Sequence, residues 1–269
     1  AEKKRVYINL GGGTPRLTNE ECTPYTVHYA YDTVALANGT GGVVTKAGGK
    51  NWYFLTADYA FGASLQGDTT NVVQKAGGKV VGSVKHPLSA SDFSSFLLQA
   101  QSSGAQILGL ANAGGDTINA IKAANEFGIT KTMKLAGLLV FINDIHSLGL
   151  KTTQGMYLTD SWYWNQNAET RAWSRKFFGI MKRMPSSVQA GDYSATMHYL
   201  NAVKATGSDD ADKVLAQLDG TQPAQRLRVG LVALERVPVR EHVELHNEAG
   251  QKIGEVTSGL LAPTADKPV

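Results

Sequence analysis

Three apolar runs between residues 51 and 147 each end in a small polar segment and lead into a stretch with helical spacing. The runs are Trp52–Leu55, Ile107–Leu110 and Leu138–Phe141. Short apolar strands that alternate with helices predict βαβ units and a parallel sheet. This alternation constrains the fold more than any other feature of the sequence, and it places the chain in the α/β class.

The polar residues that follow these runs predict a binding edge. Ligands of open α/β sheets bind at the carboxyl ends of the strands, which lie together at one edge. We therefore expect one rim to carry the side chains of Asp58, Tyr59, Asn112, Asp116, Asn143 and Asp144.

The stretches between the runs have the periodicity of amphipathic helices. Residues 92–103 carry apolar side chains at helical intervals, and Ser91 or Asp92 is positioned to cap the start of that helix. Residues 116–127 repeat the pattern, and Gly128 is expected to end the second helix. Residues 77–84 predict a turn that leads into a short strand.

Composition excludes several classes of partner. The chain has 269 residues, of which 42% are hydrophobic, enough for one large or two modest domains. Its net charge of +3 is too small to favour nucleic acid or an anionic membrane. No run approaches the roughly 20 apolar residues of a membrane helix, so direct membrane insertion is not expected. No signal peptide is recognised before the predicted strand Val6–Leu10.

Cofactor and metal sites are not expected either. Cys22 is the single cysteine, which excludes an intrachain disulfide, and we expect it to be a half-buried structural thiol. The six histidines lack metal-ligand spacing. The glycine-rich segments at residues 39–42 and 48–51 differ from a phosphate-binding loop, since Asn51 follows Lys50 where Ser or Thr is required. We therefore predict no catalytic residue, no cofactor and no metal.

Several separated segments resemble the periplasmic substrate-binding proteins of branched-chain amino acid ABC transporters. They are residues 22–33, 54–62, 86–96, 110–117 and 188–194, which agree in order within a match covering residues 3–218. The resemblance implies a periplasmic binding protein of type I, with two lobes of parallel βαβ sheets that close on a solute as a Venus flytrap does. It implies no enzymatic activity, a small-molecule solute, an ABC permease as partner and a periplasmic location.

The resemblance also implies ligand-binding residues in four loops. The loop of lobe one binds the solute carboxylate, the second loop covers the solute with an aromatic ring, and the fourth holds a carboxylate for an ammonium group. The implied positions are Gly12, Gly13 and Thr14 in the first loop, Asp58 and Tyr59 beside Phe61 and Gly62 in the second, Ala113 and Gly114 in the third, and Asn143 and Asp144 in the fourth.

Purely structural roles compete with these assignments. Tyr59 would also suit the edge of a core, Asp58 and Asp116 would suit helix caps, and Asp144 would suit a solvated turn. His28 stands where many relatives carry arginine. Together with residues 15–16 in the first loop, this difference leaves the solute class open between amino acids and organic or aromatic acids.

Two regions depart from the family pattern. Family members have further βα units before the strand that corresponds to residues 6–10, so the resemblance implies an incomplete first lobe. After about Asp219, strand alternation replaces the βα rhythm, at Arg228–Val232 and Val243–His246 with a turn at residues 247–250. Residues 226–268, which include the run Gly254–Gly259, resemble the C-terminal β-domain of aminomethyltransferases, the T-proteins of the glycine cleavage system.

The predicted organisation has four parts. Residues 1–40 form a partial lobe 1 and hinge, residues 41–175 form lobe 2, residues 176–220 return to lobe 1 as helices, and residues 221–269 form an antiparallel β segment. The predicted function is non-catalytic binding of a small organic solute for ABC-type import. The alternatives are a folate-dependent protein related to aminomethyltransferases, and a chimera without retained activity.

Overall fold

A computed structural model describes residues 3–218 and four short strand segments in the remainder of the chain. The chain divides into two compact units, Ala1–Leu215 and Ala216–Val269. The first unit opens with a parallel pair of strands, β1 (Tyr7–Asn9) and β2 (Thr26–His28). A helical stretch follows, made of α1 (Thr33–Leu36), a π-helical segment (Ala37–Gly42) and α2 (Val43–Lys46).

A five-stranded parallel sheet forms the centre of the first unit. Its strands lie in the order β4-β3-β5-β6-β7. This sheet confirms the predicted α/β class. The bounds of the five strands are Asn51–Ala57 for β3, Lys79–His86 for β4, Ile107–Ala111 for β5, Lys134–Gly137 for β6 and Tyr157–Leu158 for β7.

Eight further α-helices, α3 to α10, lie in the described residues up to 218. None of the helices in the described residues is both long and apolar enough to cross a bilayer. Their bounds are Ala60–Lys75, Ser94–Ser102, Gly114–Glu126, Ile142–Leu148, Leu150–Thr153, Ala168–Met181, Ser187–Thr206 and Ala211–Leu218.

Helices pack on both faces of the sheet, and the side chains of its central strands alternate between these two buried faces. Trp52 and Phe54 of β3 pack into the cluster that contains Leu65 and Val73 of α3. The intervening β3 residues join the opposite cluster, which contains side chains of α4 and α5. Gly109 of β5 accommodates the first pair of rings, since a Cβ there would lie 2.6 Å from Phe54 Cε1.

The position of the third predicted strand is wrong. The strand β6 is Lys134–Gly137, and the apolar run Leu138–Phe141 follows it. The Leu138 amide still donates to the Leu110 carbonyl at 3.4 Å, after which the chain leaves the sheet and folds over Gly137. Leu138, Leu139 and Val140 are nevertheless buried. Their apolarity therefore reflects burial in a loop, and strand pairing is not its cause.

Two smaller predictions also need correction. Helix α4 begins at Ser94 rather than Asp92, and the Asp92 carboxylate accepts the Ser94 amide at 2.8 Å from just outside the helix. Cys22 is exposed instead of half-buried, because it lies in the turns between β1 and β2. The predicted end of α5 is confirmed by Gly128, whose φ of 70° lies in the left-handed region.

Among its described residues, the second unit has two antiparallel strand pairs. Strand β8 (Glu244–His246) pairs with β9 (Lys252–Glu255), and β10 (Leu261–Ala262) pairs with β11 (Lys267–Pro268). The predicted strand at Val243–His246 is confirmed for its last three residues. The predicted strand Arg228–Val232 and the turn at residues 247–250 lie outside the described residues.

We expect removal of residues 221–269 to preserve the secondary structure and cooperative unfolding of the first unit. The two described core clusters are built from residues between Leu36 and Leu148, so the deletion removes none of their side chains. Circular dichroism and chemical denaturation of the 1–220 fragment test this expectation. A non-cooperative transition in the fragment would show that the deleted residues complete the core.

Candidate functional site

The tips of three neighbouring strands lie at the same edge of the sheet, as the sequence predicts. Strands β3, β5 and β6 are adjacent and parallel, so Asp58, Ala113 and Leu138 follow their strands on one side. Strand β7 ends at the same edge, and Asp160 follows it by two residues. The candidate site is therefore a rim with contributions from four strand tips.

The second predicted loop contains one ion-paired and one aromatic residue. The Asp58 carboxylate is exposed and lies 2.9 Å from Lys85 Nζ. Tyr59 occupies the N-cap position of α3 without a side-chain cap bond. The residue is 41% exposed, and its ring centroid lies 5.9 Å from that of Phe61. Burial, and secondarily the charge of Asp116, raise the pKa of the Tyr59 hydroxyl. The Tyr59 side chain is thus partly exposed and is not used to cap α3.

Asn112 and Asp116 are engaged in structural bonds and do not present free groups at the rim. Asn112 is fully buried, with its side-chain oxygen accepting the Thr117 hydroxyl at 2.6 Å. The Asp116 carboxylate accepts the backbone amides of Ser89 and Ala90, each at 3.1 Å. The predicted rim is therefore corrected at these two positions, because tertiary hydrogen bonds draw both side chains into the protein.

The third loop is shaped by its backbone. Ala113 is the N-cap residue of α5 and packs against the core cluster that contains Leu36 and Val44. Gly114 adopts a φ of 57°, a left-handed conformation that glycine adopts at low cost. The loop turns sharply here, and Gly114 remains exposed.

The fourth loop holds Asp144 in a helix-starting arrangement. One carboxylate oxygen of Asp144 accepts the Phe141 amide at 2.9 Å. Burial raises the pKa of the Asp144 carboxyl, and the bond from Phe141 opposes that shift. Asn143 extends its amide to within 3.5 Å of Gln189 Oε1 on α9. Both predicted residues thus have intramolecular partners.

The first loop follows β1 and is held by Asn9. The Gly12 amide donates to Asn9 Oδ1 at 3.0 Å, and the Asn9 side-chain amide donates to the Gly12 carbonyl at 2.7 Å. The Thr14 hydroxyl accepts the Arg16 amide at 3.3 Å and starts a 3-10 turn. His28, the position at which the resemblance implies arginine in many relatives, lies half-buried in β2, and its Nε2 has no partner among the described residues.

Four aromatic rings, which we call the aromatic cluster, connect the first loop to the strand tips. The cluster consists of two ring pairs, Tyr31 with Phe141 and Tyr59 with Phe61. Tyr31 and Phe141 have ring centroids 5.9 Å apart. Gly13 leaves room for two of the rings, because a Cβ there would lie 3.1 Å from Phe61 and 3.4 Å from Tyr31. Gly13 and the β3 and β6 tips therefore meet through aromatic contacts.

A cavity of about 290 Å³ adjoins the cluster at Tyr31. Three of its lining residues are aromatic and three are serines, and none carries a charge. The Tyr29 hydroxyl bridges to Ser194 Oγ at 2.8 Å. The lining residues are Leu10, Tyr29, Ala30, Tyr31, Ser161, Trp162, Ser187, Val188, Ala190, Gly191 and Ser194.

Asp160 lies beside this cavity. Its carboxylate accepts bonds from the Ser187 side chain and from the backbone amides of Ser161 and Trp162. Asp160 keeps some exposure to solvent, and the partial burial of its carboxyl group raises its pKa. The three hydrogen bonds oppose that shift. Burial, followed by the charge of Asp160 and by Tyr59, raises the pKa of Tyr31.

None of the nine residues predicted as ligand-binding lines the cavity, although Gly13 and Tyr59 approach it through Tyr31. The sequence gives little indication of Asp160 as a rim residue, because β7 has two residues and lacks the length of a recognisable strand. Tyr31 lies inside a segment that carries the family resemblance, and its aromatic character was the available signal.

The described residues contain no group of three or more His, Cys, Asp or Glu side chains arranged to hold a metal ion.

Sequence comparison identifies the family of the chain. A family profile described as periplasmic binding protein matches residues 1–231. The chain belongs to the periplasmic binding protein family. A comparison with curated proteins finds no match.

Solved structures of this family share the fold. A periplasmic binding protein from Burkholderia mallei is 71% identical, with a TM-score of 0.77 and coverage of 81% of this chain and 58% of the other. A branched-chain amino acid ABC transporter periplasmic ligand-binding protein from Burkholderia xenovorans is 36% identical, with a TM-score of 0.71 and coverage of 80% and 58%. This chain therefore spans less than two thirds of either relative.

A more distant structure shows the same fold. A solute-binding protein of an ABC transporter from Rhodopseudomonas palustris, solved with 3,4-dihydroxybenzoic acid, is 23% identical, with a TM-score of 0.73 and coverage of 80% and 60%. These comparisons lend no support to the aminomethyltransferase resemblance of residues 226–268, which stays a prediction.

Proposed function

We propose that this chain binds a small organic solute without chemical turnover and that the parent protein delivers the solute to an ABC permease from the periplasm. The observation that carries the proposal is the aromatic cluster. It joins the first loop, through Gly13, to the tips of β3 and β6. Ligands of parallel α/β sheets bind at this edge.

The family supports the non-catalytic part of the proposal. The Burkholderia xenovorans relative is described as a ligand-binding protein of a branched-chain amino acid transporter. Amino acids and organic or aromatic acids are the solute classes that we propose to screen first. Thermal denaturation is a suitable screen, since a ligand that binds only the folded protein raises the midpoint in proportion to its affinity.

We also propose the nine loop residues named from the sequence as candidates for solute contact. Tyr59 is favoured among them, because its ring is part of the aromatic cluster and its side chain makes no cap bond. Asp58 and Asp144 are less favoured, since one pairs with Lys85 and the other accepts the Phe141 amide. The proposed division remains a partial lobe 1 at 1–40, lobe 2 at 41–175, returning helices at 176–220 and a β segment at 221–269.

Tyr59→Ala is expected to weaken solute binding by roughly 1 to 3 kcal/mol, the range for loss of a buried aromatic contact. Titration calorimetry with a solute found in the thermal screen measures the change. Asp92→Ala is the control, because Asp92 receives the first amide of α4 far along the chain from this loop. The control should lower the unfolding midpoint and leave the affinity unchanged. Equal affinity for Tyr59→Ala and the wild type would remove the ring from the site.

A further inference from the structure

The cavity beside the aromatic cluster has a polarity that selects among solutes. Three aromatic side chains, Tyr29, Tyr31 and Trp162, surround it together with Ser161, Ser187 and Ser194. Its volume of about 290 Å³ is close to the lower end of the roughly 300 to 1,000 Å³ of small-molecule pockets. The space suits a single small metabolite.

The walls of the cavity are held by contacts that do not depend on a ligand. Trp162 packs edge-on against Trp173 of α8 at 5.6 Å between centroids, and Trp173 contacts Tyr193 of α9 at 5.4 Å. Ser194 is bonded to the Tyr29 hydroxyl. These contacts fix the loop after β7 against two helices, and the aromatic wall is therefore preorganised.

The carboxyl group beside the cavity, that of Asp160, has hydrogen-bond donors but no ion-pair partner among the described residues. Asp160 is bonded to Ser187 and Ser161, both of which line the cavity. The ion pairs among the described residues join Arg16 to two glutamates and Lys85 to Asp58, and none of them includes Asp160. An anionic solute would meet this carboxylate without a cation among the lining residues, whereas a cationic group would supply the missing counter-charge.

We propose that this cavity binds a small organic amine and that Asp160 is the residue that selects its ammonium group. Aromatic rings beside a carboxylate favour such a group, because the ring faces attract a cation while the carboxylate pairs with it. Tyr29, Tyr31 and Trp162 supply the rings, and the serine hydroxyls supply further hydrogen-bond partners. This inference rests on the proposed solute-binding function and names a solute class and a residue for it.

The assignment differs from the one implied by the family resemblance. There, the ammonium group falls to the loop of Asn143 and Asp144. In the structure the Asp144 carboxylate accepts the Phe141 amide within its own helix start, and Asn143 reaches towards Gln189. Neither Asn143 nor Asp144 has a bonding partner that lines the cavity, whereas Asp160 is hydrogen-bonded to the lining residues Ser161 and Ser187, which place it at the cavity edge.

Three probes with the same phenyl ring test the selection: phenethylamine, 2-phenylethanol and 3-phenylpropionate. Calorimetric titration of the full chain should show the amine binding at least tenfold more tightly than the alcohol, with the carboxylate weakest. Asp160→Asn should remove the preference for the amine and leave the alcohol unaffected. Asp160→Glu, which restores the charge, should recover part of the preference, and Asp92→Asn should leave all three affinities unchanged.

Several outcomes would overturn the inference. They are tighter binding of the carboxylate than of the amine, an amine preference that survives in Asp160→Asn, and no binding of any of the three probes by the wild type. The wild-type comparison decides the amine preference even if Asp160→Asn fails to fold. Asp160→Glu then tests the residue, because the longer side chain should reduce that preference. A solute from the thermal screen that binds while the amine does not would contradict this inference and leave the proposed function standing. Failure of the whole screen would contradict the proposed function itself.

Discussion

Gly62→Ala is expected to lower the free energy of unfolding by about 3 kcal/mol, at the upper end of the usual cost of overpacking. Gly62 lies in the first turn of α3, and an ideal Cβ there would collide with the carbonyl oxygen of Ala57 and lie 3.2 Å from that of Ala111. Both oxygens belong to strand backbone of the central sheet, which cannot yield as a flexible side chain can. Chemical denaturation monitored by circular dichroism measures the loss.

The same helix offers a matched control. Gly67 is exposed in α3, and a Cβ there would meet nothing within 4 Å. Gly67→Ala should therefore raise stability by about 0.5 to 1 kcal/mol, since alanine is the better helix former. Because Tyr59 and Phe61 lie within three residues of Gly62, the first variant should also lose affinity for any solute bound at the rim. Equal stability of the two variants would show that α3 does not approach the sheet as closely as the structure has it.

Asn112→Ala is expected to cost about 3 kcal/mol, because it leaves two buried polar groups without partners. His86 is fully buried, with Nδ1 2.8 Å from the Pro87 carbonyl oxygen and Nε2 3.1 Å from the Asn112 side-chain amide. Since the carbonyl oxygen accepts, Nδ1 donates and Nε2 accepts from Asn112. The Thr117 hydroxyl, which donates to Asn112 Oδ1, loses its acceptor in the same variant.

Asn38→Ala serves as the comparison for that experiment. Asn38 is exposed and donates to the Val34 carbonyl within the helical stretch after β2. Its replacement should change the free energy of unfolding by no more than about 0.5 kcal/mol. Denaturant titrations of both variants under identical conditions give the difference. If Asn112→Ala proves as mild as Asn38→Ala, water must satisfy His86 and Thr117 in place of the asparagine.

Local patterns specify much of the first unit. The alternation of Trp52 and Phe54 with Tyr53 and Leu55 predicts a strand buried on both faces, and the two core clusters divide these residues as the pattern requires. Gly128 follows α5 in the left-handed conformation, which glycine adopts at low cost, so this helix end depends on the residue itself. Such features depend on residues close together in the sequence, so they can be recognised from one sequence alone.

The wrong predicted position of strand β6 illustrates what local patterns cannot resolve. Residues 134–137 and 138–141 are both compatible with a strand, and the choice depends on which of them pairs with β5. Pairing Gly137 with Leu110 ends the strand there, and Leu138 and Leu139 are buried in the core beyond it. Hydrophobicity reports burial, and it does not report which partner provides the burial.

The sequence by itself determined the α/β class, the adjacent strand tips and the loops that resemble a solute-binding family, since each arises from short-range periodicity or from motifs. Only the tertiary structure decided which side chains are available at those tips. Asn112 and Asp116 bind their own protein, whereas Tyr31 and Asp160 meet beside a cavity although distant segments of the chain supply them. The physical reason is that a polar group's availability depends on every donor and acceptor that folding brings to it, and those contacts are set by the packing of the whole chain.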